Sequence, residues 1–151
     1  KIFGLTKKDY LNVRPEDSVM LENLSELVSF EGVVSKHELD KTFKFAHFSI
    51  NYRTNSRMTN AGFSSKLVES FSENIPVITS DTSDTSRFLN HGINGYLFDS
   101  LDLSKNAQIL KQSIKLPKEE YLKMRHEINQ GAYFSHERYE TRLNIFLNQL
   151  S

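Results

Sequence analysis

The chain has 151 residues, 38% hydrophobic and 25% charged, proportions that fit one soluble globular domain and leave two full domains cramped. Nineteen basic side chains balance nineteen acidic ones, so no field of one sign would draw a polyanion or an acidic bilayer onto the whole surface; a general nucleic-acid binder is not expected. With no cysteine, disulfides, thiolate metal sites and a cysteine nucleophile are excluded, and apolar runs of about five residues fall far short of the ~20 that cross a bilayer.

In chain order, short β-branched or aromatic runs alternate with segments of helical period, the pattern of an α/β fold with a mainly parallel sheet. Strands are predicted at residues 1–4, 27–30, 46–52, 76–79 and 95–98. Helices are predicted at 15–25, 36–45, 64–73 and 83–90; Ser35 with Glu38 three residues on makes a capping box for the second, and Ser83 or Asp84 suits the cap of the fourth. The polar stretch 54–60 reads as a loop at the working edge of the sheet. Beyond Phe98 three helices follow, at 103–113, 118–130 and 136–150. Pro117 suits the first turn of the second of these and Gly131 its stop, while Tyr139, Leu143, Phe146 and Leu150 line one apolar stripe on the last.

The segment Gly62-Phe63-Ser64-Ser65-Lys66-Leu67-Val68-Glu69 carries the chemistry. It follows a strand and its polar loop and opens a helix. Gly62 lets a ligand approach the backbone closely, and the unpaired amides of a first helical turn favour an anion, most naturally a phosphate. Glu69 lies one turn beyond Ser65 on the same face, where a carboxylate can accept both hydroxyls of a ribose. An ordinary capped surface helix would have the same spacing. The next strand ends in Thr79-Ser80-Asp81, which would border the same crevice beyond the strand ends. The five histidines have no metal-ligand spacing and no metal site is expected; no phosphate-cradling Gly-x-x-x-x-Gly-Lys loop or Gly-x-Ser-x-Gly elbow is present.

Across about 37 residues from Gly62 to Phe98 the sequence resembles the donor-domain signature of the GT-B glycosyltransferases of the glycosyl transferases group 1 family. Gly62, Phe63, Lys66, Glu69, Ser70, Pro76, Val77, Ile78, Gly92, Asn94 and Gly95 stand in register with that pattern. Two departures are plain: Asn74 replaces a glycine, and Ala61 stands where the first of two glutamates falls. The resemblance implies a Rossmann-like, mainly parallel sheet flanked by helices, the C-terminal half of a GT-B fold. It implies one donor-binding domain over residues 1–151, part of a longer two-domain enzyme that lacks here its acceptor half and the first strand of this one. Such a chain would be inactive alone and could pair with a second copy through an incomplete sheet.

The implied activity is transfer of a sugar from a nucleotide diphosphate sugar in polysaccharide or glycoconjugate synthesis, with no cofactor. Glu69 would hold the ribose, amides of Phe63, Ser64 and Ser65 the diphosphate, and Lys66 and Arg53 would neutralise the leaving group. Backbone at Gly32, Val33 and Val34 would meet the base. A cytoplasmic protein is expected, or one peripheral at the inner membrane face, without a transmembrane segment or a nucleic-acid partner. The alternatives are a non-catalytic nucleotide-binding module, favoured by Ala61, and a sugar-nucleotide epimerase of GT-B architecture.

Overall fold

The computed structural model describes residues 1–99 and 101–149. It divides into two compact units, Lys1–Lys44 and Phe45–Ser151. Both are α/β, and every strand pair is parallel.

In the first unit β1 (Ile2–Phe3) pairs with β2 (Phe30–Gly32). Between them lie α1 (Lys7–Val13), a 3-10 turn at Pro15–Asp17 and α2 (Ser18–Asn23); α3 (Lys36–Phe43) follows. The predicted box of Ser35 and Glu38 does open α3. A second box, Thr6 with Asp9, opens α1, a helix missing from the sequence reading because Asp takes the place of the usual Glu or Gln. The helix predicted over 15–25 breaks into the 3-10 turn and the short α2. The strand predicted at 27–30 begins only at Phe30, because the amides of Leu27 and Val28 turn back to the Leu24 carbonyl.

The second unit contains β3 (Ser49–Asn51), α4 (Arg57–Asn60), α5 (Ser65–Ser72), β4 (Val77–Ser80), β5 (Gly95–Phe98), α6 (Leu103–Ile114), α7 (Lys118–Gly131) and α8 (Glu137–Asn148). The strand order is β3-β4-β5, with Ile50 beside Ile78 and Ile78 beside Tyr96. All four residues of β4 are buried. Alternation along β4 sends Val77 to one apolar cluster with Leu67 and Phe71 of α5, Leu89 and Ile128. It sends Ile78 to the other, with Tyr96, Phe98, Ile109 of α6 and Met124 of α7.

The Asn94-Gly95 pair is structural. A Cβ on Gly95 would stand 2.3 Å from the Val77 carbonyl oxygen, so only glycine lets β5 lie so close to β4. Asn94 is fully buried; its Oδ1 accepts from the Asn90 amide at 2.8 Å and its Nδ2 donates to the Phe88 carbonyl at 2.9 Å.

Three expectations need correction in this unit. The predicted helix at 83–90 is a single 3-10 turn, Thr85–Arg87: Ser83 has φ +55°, outside the helical region, and both the amide and the hydroxyl of Thr85 bond back to the Thr82 carbonyl. Asp84 takes the N-cap position of that turn, but its side chain makes no cap bond and pairs with Arg87 at 3.3 Å. The polar loop predicted at 54–60 contains α4, opened by Ser56 and Thr59. At the end of α7, Ala132, not Gly131, takes the left-handed conformation (φ +40°); glycine at 131 leaves room for the Tyr133 ring, which a Cβ would meet at 2.2 Å. On α8, Tyr139, Leu143 and Phe146 are exposed, and Leu150 lies outside the described residues. No helix among the described residues is long and apolar enough to cross a membrane.

Asn94→Ala would strand the Asn90 amide and the Phe88 carbonyl in the interior, and we expect it to cost about 2–3 kcal/mol in urea unfolding. A second expectation concerns acid. Asp99 accepts the Leu101 amide at 3.0 Å and faces Lys105 at 3.5 Å; the amide bond first, and then the Lys105 charge, hold its carboxyl below the usual aspartate range. Its folded pKa is lowered, so its contribution is complete above the ordinary carboxylate pKa and fades as pH falls through the depressed value. The urea midpoint of the wild type should therefore converge on that of Asp99→Asn as the solution is acidified.

Candidate functional site at the start of α5

Beyond the carboxyl ends of β3 and β4, a group of polar side chains fixes the turn that leads into α5. The Arg53 amide donates to Ser80 Oγ at 3.0 Å, and Arg53 Nη1 donates to the Gly62 carbonyl at 3.2 Å. Asn51 Nδ2 donates to Ser64 Oγ at 3.0 Å. Asn60 Oδ1 accepts the Ser83 amide at 2.8 Å, linking α4 to the loop after β4. Thr82 in that loop is 2% exposed, and its hydroxyl oxygen is without a partner among the described residues.

Ser64 is the N-cap of α5, in extended geometry (φ −79°, ψ 107°), yet its hydroxyl makes no cap bond. Among the described residues the amides of Phe63, Ser64, Ser65 and Lys66 have no hydrogen-bond acceptor. Those amides and the positive end of the helix dipole form a site where an anion is favoured. Gly62 has neither a positive φ nor any protein atom within 4 Å of where a Cβ would stand. Nothing in the packing around it demands glycine there.

Phe63 turns its ring away from these amides, against Phe88 at 5.3 Å and Phe134 at 5.9 Å. On α5 itself, Leu67, Ser70 and Phe71 are buried, whereas Ser65, Lys66 and Glu69 face outward. Glu69 Oε2 lies 2.7 Å from Lys66 Nζ, both side chains about half exposed. Lys66 thus has a carboxylate partner that the sequence reading had not assigned to it, and the spacing of three on a helix was the available signal.

The remaining expected site residues lie in the first unit. Gly32 is buried with φ +64°, its carbonyl accepts from the Gly4 amide at 2.7 Å, and Val33 beside it is 90% exposed. His91 accepts the Leu97 amide on Nδ1 at 3.1 Å and packs edge-on against Tyr96. No group of three or more His, Cys, Asp or Glu able to hold a metal exists among the described residues. Ser80 was expected at the border of the crevice and Asn51 was not singled out; their positions at strand ends were legible, their partners were not. Two cavities in the second unit, of about 640 Å³ beside Phe48 and Tyr121 and about 320 Å³ beside Phe71 and Tyr133, are not lined by Gly62–Lys66 or Glu69.

Parallel strands, helices on both faces and polar loops gathered beyond the strand ends define a Rossmann-like α/β protein. The chain belongs to the family Glycosyl transferases group 1, which it matches over residues 11–133. No curated protein matches the sequence. Among solved structures, HepE of Anabaena, crystallised with UDP-glucose, is similar with a TM-score of 0.70 and 16% identity, over 95% of this chain and 38% of that one. Its complex with UDP is similar with a TM-score of 0.66 and 15% identity over the same shares. The C-terminal domain of LpcC, a glycosyl transferase group 1 protein of Francisella tularensis, gives 0.67 and 16%, over 87% of this chain and 65% of that one. The fold is that of GT-B neighbours, and the chain spans well under half the length of HepE.

The Lys66–Glu69 pair is solvent-screened, so Glu69→Ala should change the unfolding free energy by less than about 1 kcal/mol. Chemical denaturation of wild type and variant checks this; a larger loss would make Glu69 a structural residue.

Proposed function

We propose that the chain is a nucleotide-sugar-binding part of a glycosyltransferase, with the donor's diphosphate on the free amides at Phe63–Ser65 and its ribose on Glu69. The single observation that carries this reading is a helix start whose amides are unbonded, beside a glycine with open space over it and a solvent-facing carboxylate one turn on. Membership of the family and the likeness to HepE, whose structures contain UDP-glucose and UDP, support it.

Catalysis would then consist of positioning the donor and spreading the charge that develops on the departing diphosphate. The amides need no reorganisation for this, since the bonds from Arg53 to Gly62 and from Asn51 to Ser64 hold the turn beforehand. Lys66 adds a positive charge at the edge of the turn; binding of the ribose to Glu69 would release it from its present pairing and let it swing to the phosphates. Arg53, already committed to the Gly62 carbonyl through one nitrogen, has further donors in its guanidinium for the same anion. The acceptor and its binding surface would come from outside this chain, so donor binding without turnover is the activity proposed for it. Polysaccharide or glycoconjugate synthesis is the setting that such a transfer serves.

Titration with UDP-, GDP- and ADP-sugars by calorimetry tests the reading. We expect saturable binding of at least one, weakened about tenfold or more in Glu69→Ala through loss of charge-assisted hydrogen bonds. Binding to none would favour a non-catalytic interaction module, the reading that Ala61 in place of an acidic residue also suits.

A further inference from the structure

We propose that Asn51, at the end of β3, is a positioning residue that keeps the first turn of α5 uncapped; the inference rests on the donor-site reading above and deepens it. Among the described residues four helices are sealed by their own cap side chains: Thr6 accepts the Asp9 amide, Ser35 that of Glu38, Ser56 that of Thr59 and Asp102 that of Lys105. Ser64 belongs to the residue types best suited to the same task, and its backbone already has the extended conformation a cap requires. Left alone, its hydroxyl would accept the Lys66 or Leu67 amide.

Asn51 opposes this by taking one of the two acceptor positions of the Ser64 hydroxyl and directing it toward β3. Its side-chain amide donates to Ser64 Oγ at 3.0 Å, and the asparagine is held in place by its parallel pairing with Thr79 of buried β4. Ser64 is only 7% exposed, so its hydroxyl cannot exchange Asn51 for bulk water and needs a protein partner. The bond therefore satisfies a buried hydroxyl and at the same time takes it away from the helix. The Leu67 amide still bonds the Ser64 carbonyl at 3.1 Å, so Lys66 is the amide that loses its natural acceptor and becomes available to an anion, as one donor more beside the Phe63–Ser65 amides proposed for the diphosphate. Arg53, two residues on, holds the Gly62 carbonyl from the same side, so that both ends of the turn are fixed by one strand end.

The test is the sign of a change in amide exchange, read residue by residue by NMR on the full chain. In Asn51→Ala the freed Ser64 hydroxyl returns to its own helix, and exchange at Lys66 should slow by roughly fivefold relative to wild type. A purely structural role would loosen the turn and speed exchange instead, and that outcome, or no change, overturns the proposal. Asn51→Leu, of similar shape and without polar atoms, serves the same purpose should the alanine variant not fold.

Calorimetry with UDP-glucose supplies the functional arm. Binding should weaken in Asn51→Ala and recover in Asn51→Ala/Ser64→Ala, where no hydroxyl remains to compete. Unchanged binding in the single variant, or no recovery in the double, counts against Asn51 acting through Ser64. A wild type that binds no nucleotide sugar, with exchange still slowed in Asn51→Ala, would sink the donor-site reading and leave the hold of Asn51 on Ser64 standing.

Discussion

The second unit is organised by the close contact of β4 and β5. Gly95 lets β5 come so near that any side chain there would strike the Val77 carbonyl, while the two apolar clusters bury β4 on both faces. A strand buried on both sides has only one workable register, since a slip by one residue would exchange Val77 with Ile78 and place each in the wrong cluster. The position of Ser80 follows from that register, and with it the Arg53 amide that Ser80 accepts and the Gly62 carbonyl that Arg53 holds. The geometry of the surface turn at α5 is thus inherited from packing in the interior.

That inheritance explains how a weakly satisfied helix start can persist. The amide that goes without a cap is that of Lys66, an exposed residue: the Ser64 hydroxyl is engaged by Asn51, while the bond from Arg53 to Gly62 holds the turn. The buried side of α5, through Leu67 and Phe71, supplies the packing that the missing cap does not. The helix therefore separates its two tasks by face: apolar residues anchor it, and its exposed Lys66 and Glu69 are free to change partners at small cost to stability.

Much of this was legible in the sequence. Short apolar runs and helical patterns located four of the five strands and most helices among the described residues, touching β2 only at Phe30, and the Pro76-Val77-Ile78 and Gly92-x-Asn94-Gly95 runs pointed to a known donor-domain signature. The failures have local physical causes. The α1 and α4 helices are opened by Asp9 and Thr59, which cap as well as Glu but signal it less distinctly. The helix predicted after β4 fails at Ser83, whose left-handed backbone no periodicity reveals. Gly131 was read as a conformational stop, but its use is steric, against a tyrosine ring two residues away. At the site, Gly62, Ser64 and Glu69 could be named from spacing. The partners of Ser64 and of Gly62 come from a different strand, and no one-dimensional pattern records them.

The ring of Phe63 bears on the order in which this surface is assembled. It rests on Phe88 and on Phe134, the latter about seventy residues further along the chain, and Phe88 and Phe134 themselves lie 4.9 Å apart. Closing so long a loop costs entropy that local helix formation does not. The part of the aromatic backing that Phe134 supplies requires this long loop to close, and a nascent polypeptide would have only Phe88 behind Phe63 until the stretch before α8 has been synthesised.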